Sequence, residues 1–259
     1  MRLYLFRNNK SLVVLLLMLV SIFIYLILSF QLVLFRVFFS SKVWAHRVIT
    51  IEKYVEAQEV FSGVELDLIF DSSKADFEVT YPPIKSIDLS LVEFLKSKKS
   101  YDNFGIWLDF KNLNQVNYRE ASERLDSIIK TLNIGFQNVI VESKRPVFLH
   151  EFSKRGFKTS YYLPSNLLKF TAQDLMAQNN LINSSKVDFI STNIKNYSFV
   201  KKNFPDSKIL IWIIDTPRRI KSVSSLKYAI RCFHRNFSAL CNTDVEVALV
   251  KFIASSGNR

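Results

Sequence analysis

The stretch Val64-Glu65-Leu66-Asp67-Leu68-Ile69 reads as a β-strand interrupted by two carboxylates, and Ile106-Trp107-Leu108-Asp109-Phe110-Lys111 repeats the pattern downstream. Side chains alternate along a strand, so Glu65 and Asp67 share one face, and Asp109 and Lys111 share another. The remaining positions are apolar enough for a strand buried on both sides. Working outward, further short apolar runs lie at Val43 to Ala45, Asn138 to Glu142, Thr159 to Leu163, Asp188 to Ser191, Ile209 to Ile214 and Val245 to Val250. Between them amphipathic stretches predict helices at Ile51 to Val60, Leu89 to Lys96, Tyr118 to Leu132, Pro146 to Arg155, Leu167 to Gln178, Tyr197 to Asn203 and Ser222 to Asn236. Strands alternating with helices imply a parallel sheet with crossover connections. Eight such repeats suggest closure into a (β/α)8 TIM barrel. The alternative is an open doubly wound sheet, which usually carries a glycine-rich phosphate loop after its first strand. Here Gly63, Gly105, Gly135, Gly156 and Gly257 are scattered singly.

Ahead of the barrel region, Ser11 to Leu34 contains no charged residue, and its polar side chains are Ser11, Ser21, Ser29 and Gln31. A hydrocarbon core of about 30 Å needs roughly 20 helical residues, whereas a cleavable leader has an apolar segment of about 7 to 15. The run ends in Val37, Phe38, Phe39 and Ser40 rather than in a small-x-small cleavage site. The expectation is an uncleaved signal anchor: residues 1–10 cytoplasmic, 11–35 transmembrane, 36–42 a linker, and 43–259 the barrel domain. Arg2, Arg7 and Lys10 precede the span, against Arg36 and Lys42 after it. That asymmetry keeps the N-terminus inside and puts the barrel outside, in a bacterium on the periplasmic face of the inner membrane.

A chain of 259 residues that is 49% hydrophobic, with 23 Phe, has a core for one barrel and no room for a second large domain. The net charge of +12 suits anionic partners. No run of Lys and Arg interleaved with stacking aromatics occurs, nor any zinc-finger spacing, so nucleic acid is not an expected partner. Protein partners are not specified by anything in the sequence. Cys232 and Cys241 are the two cysteines; their spacing permits a disulfide and equally permits two buried thiols.

In a barrel the chemistry lies at the C-terminal ends of the strands. The first strand ends in Ala45-His46-Arg47, the third in Asp109-Phe110-Lys111 and the fourth in Glu142. Carboxylates converging on a barrel mouth repel one another unless cations accompany them, and a hard divalent ion, Mg²⁺ or Ca²⁺, is the partner that oxygen ligands favour. The other possibility is an outward-facing, solvated pair. Glu142 either joins the metal shell or pairs with Lys144 or Arg145. Trp44, Trp107, Tyr161, Tyr162 and Trp212 either line a pocket or pack the barrel. His150 and His234 fall in predicted helices, away from any strand's C-terminal end.

Trp44-Ala45-His46-Arg47, Gly63-Val64-Glu65-Leu66-Asp67 and Trp107-Leu108-Asp109-Phe110-Lys111 together resemble the opening of the glycerophosphodiester phosphodiesterase family, within the phospholipase-C-like phosphodiesterase barrels. Ile211-Trp212-Ile213-Ile214-Asp215 is similar to that family's Trp-containing seventh strand. The resemblance covers most of Val43 to Val250. It implies that His46 is a general acid or base, and that Arg47 and Lys111 bind the phosphate with Trp212 beside it. It further implies that Glu65, Asp67 and Asp109 ligate a divalent cation, with Glu142 as a further candidate. The implied substrate is an anionic phosphodiester, lipid-derived or glycan-linked. One departure is that Tyr81 stands where the family's second catalytic His is expected. A phenol, with a reference pKa of about 10, hydrogen-bonds phosphate but shuttles protons poorly near neutral pH. Two functions therefore stand: a membrane-anchored metal-dependent phosphodiesterase, and a catalytically silent barrel serving as a binding or scaffold subunit. A metal-independent lyase is the third and least supported reading, because it leaves the carboxylate cluster without a role.

Overall fold

The structure is a computed structural model and describes residues 2–81, 88–97, 101–215, 220 and 222–254. Two helices lead the chain, α1 (Arg2–Ser29) and α2 (Gln31–Phe38). Then β1 (Val43–His46), α3 (Ile51–Gln58), β2 (Gly63–Asp71), β3 (Asp76–Val79), α4 (Leu91–Lys96), β4 (Gly105–Phe110), α5 (Tyr118–Thr131) and β5 (Val139–Ser143) follow. The second half runs α6 (His150–Lys154), β6 (Lys158–Tyr162), α7 (Ala172–Ser185), β7 (Phe189–Thr192), α8 (Tyr197–Asn203), β8 (Lys208–Ile211), α9 (Val223–Leu240) and β9 (Val245–Lys251).

Eight of the strands are parallel and close on themselves: β1 pairs with β9 along Val43 to His46, and Ala45 pairs with Val64 of β2. This is the (β/α)8 barrel that the alternating pattern implied, with each of the eight expected strands in place. The ninth strand was not expected. β3 turns back on β2 as an antiparallel hairpin, Asp71 opposite Asp76 and Leu68 opposite Val79. Its Asp-Phe-Glu-Val sequence is too short to register against the longer runs.

Strand alternation sorts side chains into two cores. Val64, Leu66 and Leu68, like Ile106 and Leu108, face outward into the layer shared with the helices. Trp44, Trp107, Ile140, Phe189, Leu210, Val247 and Leu249 form a separate cluster that fills the barrel. Trp44 sets the floor: a Cβ added to Gly105 would stand 1.9 Å from its ring, and one added to Gly63 2.4 Å from it. Glycine at both strand starts is what lets the indole lie across them.

Helix boundaries follow local signals. Thr50, Ser90, Thr171 and Ser222 accept from the N–H three residues on and start α3, α4, α7 and α9. The helix expected over Leu167 to Gln178 is instead a 3-10 turn at Leu167–Lys169 and then α7, because Thr171 and Asp174 form a reciprocal capping box. Likewise Pro146–Phe148 is a 3-10 turn ahead of α6. β8 ends at Ile211, short of the expected Ile214. The two cysteines are free thiols, Cys232 buried and Cys241 exposed, so no disulfide joins them.

Within α1, Leu12–Ser29 is long and apolar enough to cross a membrane, with a mean hydropathy of 3.0 and almost no burial. The helix resumes as α2, so the stretch expected as a linker from residue 36 is helical as far as Phe38. Phe35 is buried and stacks on Phe233 of α9 at 5.6 Å, while Arg36 lies over Phe61 at 5.0 Å. α2 therefore covers the seam between β9 and β1. No helix follows β9 among the described residues, and α2 takes the place of the barrel's eighth helix.

Candidate active site

The inward face of β2 reads Gly63, Glu65, Asp67; that of β4 reads Gly105, Trp107, Asp109; that of β5 reads Ile140, Glu142. Register places Asp67 beside Asp109, and Asp109 beside Glu142. Above the aromatic floor the barrel thus carries a layer of acids, all of them buried. One oxygen from each of Glu65, Asp67 and Asp109 falls within 4.8 Å of the others. Asp67 Oδ2 is buried with no hydrogen-bond partner. Three buried carboxylates this close together, one of them with an unpartnered oxygen, fit a hard divalent cation such as Mg²⁺ or Ca²⁺.

Cations ring this layer. Lys111 Nζ bonds both Asp67 and Asp109. The Arg47 backbone N–H donates to Glu65 Oε2 at 2.8 Å, and its guanidinium is 3.9 Å from Asp67. That backbone geometry uses a φ of 53°, a left-handed conformation that a non-glycine residue adopts at a cost. His46 at the tip of β1 has its Nε2 3.6 Å from Glu65. Lys53 Nζ donates to the His46 carbonyl at 3.1 Å and thereby fixes the β1–α3 turn.

Burial governs the protonation states. Desolvation, and then the charges of Asp67 and Asp109, push the Glu65 carboxyl well above its ordinary value. Asp109 is raised by burial, against the pull of Lys111. Glu142 is pushed up to about 8, first by burial and then by Asp109; Ser160 Oγ donates to its Oε2 at 2.6 Å. Lys111 is lowered by burial, but the charges of Asp109 and Asp67 outweigh that and hold it above its usual range. His46 is brought down to about 3 by desolvation, then by Arg47, Lys53, Lys111 and Lys251. Glu65 gives the imidazole little relief, being itself biased toward the neutral acid. Burial thus biases both the imidazole and the neighbouring acids toward their neutral forms.

A cleft of about 380 Å³ opens over this layer, lined by His46, Arg47, Lys111, Glu142, Trp212 and Asp215 among others. That is room for a small phosphodiester head. Trp212 stacks on Tyr162 at 5.2 Å, and Lys144 lies over the Tyr162 ring at 5.0 Å. Tyr81 faces the same cations: the Arg47 guanidinium is 4.1 Å from its ring centre and Lys111 Nζ 5.5 Å. The structure thus brings His46, Arg47, Glu65, Asp67, Tyr81, Asp109, Lys111, Glu142 and Trp212 to one mouth. Glu142 bonds Ser160 and does not pair with Lys144 or Arg145. Trp44, Trp107 and Tyr161 are packing, although Trp107 also floors the cleft. His150 lies outside the cleft, on α6 against Glu151 and Tyr118, and His234 lies on α9 away from the lining residues. Sequence reasoning missed Ser160 and Asn193, and quoted Asp215 in its seventh-strand motif without giving it a role. Their common signal is position at or near the C-terminal end of a barrel strand.

These features define a closed parallel barrel with a buried acidic cluster, a histidine and two cations at its C-terminal mouth. Its fold is that of the glycerophosphodiester phosphodiesterases. Such an enzyme from Parabacteroides distasonis superposes with a TM-score of 0.54 at 14% identity, over 82% of this chain and 92% of that one. A phosphodiesterase from Oleispira antarctica, solved with the product sn-glycerol-3-phosphate, gives 0.53 at 12% identity, over 82% and 93%. No family model matches the chain, and no curated protein matches it significantly in sequence. The likeness therefore lies in the backbone.

Proposed function

We propose that the chain is a membrane-anchored, divalent-cation-dependent phosphodiesterase acting on a glycerophosphodiester-like substrate, lipid-derived or glycan-linked. The observation that carries this reading is the convergence of Glu65, Asp67 and Asp109 beside His46, Arg47 and Lys111. Within the anchor expected over residues 11–35, Leu12–Ser29 crosses the membrane and the remainder lies on the barrel as α2, while 43–259 acts as the catalytic domain outside the cytoplasm, with the bilayer as the standing partner.

In this reading Glu65, Asp67 and Asp109 hold the cation, with Glu142 behind Asp109 as a reserve ligand. A cation held there would supply positive charge for the nonbridging phosphate oxygens and would lower the pKa of a bound water. Arg47 and Lys111 bind the phosphate from the two sides of the cluster and oppose the charge that grows in the transition state. His46, neutral at pH 7, accepts the proton of the attacking water and returns one to the departing alkoxide. Trp212 and Tyr162 form an apolar wall against the alcohol portion. Tyr81 donates its hydroxyl to a phosphate oxygen.

His46→Ala and Glu65→Ala, in the purified full chain with bis(p-nitrophenyl) phosphate, should each lower kcat by about 10²-fold or more. Chelation should abolish turnover and Mg²⁺ or Ca²⁺ restore it. Turnover equal to wild type in both variants sinks the assignment. A second reading, a silent barrel that retains the anion site, is favoured by Tyr81 at the place of a second histidine. It predicts calorimetric cation binding by a wild-type protein that hydrolyses no phosphodiester in a broad panel.

A further inference from the structure

The path of the anchor relative to the barrel mouth says where the substrate comes from. Ile24 and Tyr25 of α1 adjoin Ile220 and Val223 at the start of α9. Further along, Phe35 meets Phe233, and Phe39 meets Phe237 at 5.8 Å. Both helices therefore advance together: α1 and α2 run parallel to α9 and descend with it. α9 descends from the mouth, because it follows β8 through Asp215, which lines the cleft and is bonded by Arg235 at 2.8 Å. Traced backward from α2, the apolar span leaves the barrel on the face where the site opens.

The levels agree. Val223 precedes Arg235 by twelve residues and so stands roughly 18 Å above it at 1.5 Å per residue. By interpolation Ser29, the last residue of the apolar span, is abreast of Tyr228, on the order of 10 Å above Arg235. α9 changes character at that level. Tyr228 is exposed, Lys227 and Arg231 are exposed beside it, and Val223 toward the membrane end is 70% exposed. An aromatic with flanking cations is what sits at a bilayer interface. The polar layer of each leaflet extends roughly 5 to 8 Å beyond the hydrocarbon, which spans most of the interval to the mouth.

We propose that the barrel stands mouth-first against the bilayer, and that its substrate is a phospholipid headgroup diester whose acyl chains stay in the membrane. The substrate half rests on the phosphodiesterase reading above; the orientation does not. In the reaction water adds to phosphorus and the bond from phosphorus to the headgroup alcohol breaks. That alcohol leaves carrying a proton, and phosphatidic acid remains in the bilayer. Arg47 and Lys111 at the mouth favour an anionic lipid surface.

The test uses the full chain in vesicles of phosphatidylglycerol and phosphatidylcholine, with Cys241→Ser removing the exposed thiol. A fluorophore goes on Val116→Cys, exposed in the loop after β4 on the mouth side, or on Asp206→Cys, exposed in the turn before β8 at the opposite end. Energy transfer to an acceptor in the bilayer should be severalfold more efficient from position 116; equal or greater transfer from position 206 overturns the orientation. In the same vesicles, headgroup release from phosphatidylglycerol should exceed hydrolysis of soluble glycerophosphoglycerol by tenfold or more. Preference for the soluble diester overturns the substrate assignment. Failure on both substrates overturns the phosphodiesterase reading, and the substrate assignment with it, while the labels still decide which face meets the membrane.

Discussion

Glu142 offers the sharpest probe of the acid layer, because it can be neutralised without changing its shape. Its carboxyl is buried, accepts from Ser160 and holds its proton up to about 8. An unfolded chain releases that proton near the ordinary 4.5. Between those values the unfolded state binds fewer protons than the folded one, so stability falls as pH rises, from about 4.5 until it levels off near 8. A shift of that size corresponds to about 5 kcal/mol at 1.36 kcal/mol per unit. For a domain of this size, 1 kcal/mol moves Tm by about 2–4 °C, giving a decline of about 10–20 °C across the window. Glu142→Gln keeps the acceptor for Ser160 and removes the titration. Its Tm should be close to wild type at pH 5 and higher by most of that interval at pH 8. The assay is thermal unfolding followed by circular dichroism on the full chain in detergent, with chelator present. Wild type and variant declining in parallel from pH 5 to 8 would refute the argument. Divalent cation at a hundredfold excess over its Kd at pH 8 should recover about 2.7 kcal/mol there in the wild type, and the same concentration should recover less at pH 5, since protons compete for the same oxygens.

Other outcomes follow from the same contacts. Gly105→Ala places a methyl inside the Trp44 ring and should cost about 1–3 kcal/mol, part of which returns in the double variant with Trp44→Leu, as read from Tm. Phe35→Ala empties the seam over β9 and β1, where the ring is 1% exposed, and should cost about 3–5 kcal/mol in urea unfolding. Thr171→Ala removes the capping box of α7 and should cost about 1 kcal/mol. Tyr81→His puts a group of ordinary pKa about 6.5 beside Arg47 and Lys111; kcat on bis(p-nitrophenyl) phosphate should rise at least tenfold, and no change would show that Tyr81 plays no part in proton transfer.

The barrel was legible because its strands are short, apolar and evenly interleaved with amphipathic runs, and the carboxylates were conspicuous because they break strands that are otherwise wholly buried. Glu65, Asp67, Asp109 and Lys111 could be placed on shared faces by counting residues. Convergence of those faces needs closure, which counting suggests but does not prove; Ala45 meeting Val64 supplies it. β3 escaped notice because its pairing is fixed by the hairpin after Asp71 rather than by its own composition. Ser160 and Asn193 were invisible for a different reason: serine and asparagine are common everywhere, and only their level on the strands marks them. The role of α2 was also hidden, since an apolar run reads alike whether lipid or protein covers it. Phe35 shows the difference, being buried where Val33 and Val37 on either side of it are exposed.

The acid layer and the floor beneath it are linked energetically. Four buried acids weaken a barrel unless a cation or retained protons neutralise them, and this chain surrounds them with close-packed surroundings that do not yield: Trp44 locked over two glycines, Trp107 wholly buried, and an outer core continuous from α3 to α8. That rigidity holds Glu65, Asp67 and Asp109 at a spacing that a relaxed interior would open. A preorganised set of oxygens binds a cation without further reorganisation. Softening the floor should therefore reduce cation affinity even though no ligand is altered. Trp107→Leu tests that consequence: calorimetry should show weaker cation binding by the folded variant, and an affinity equal to wild type would mean the carboxylates hold their positions without the floor.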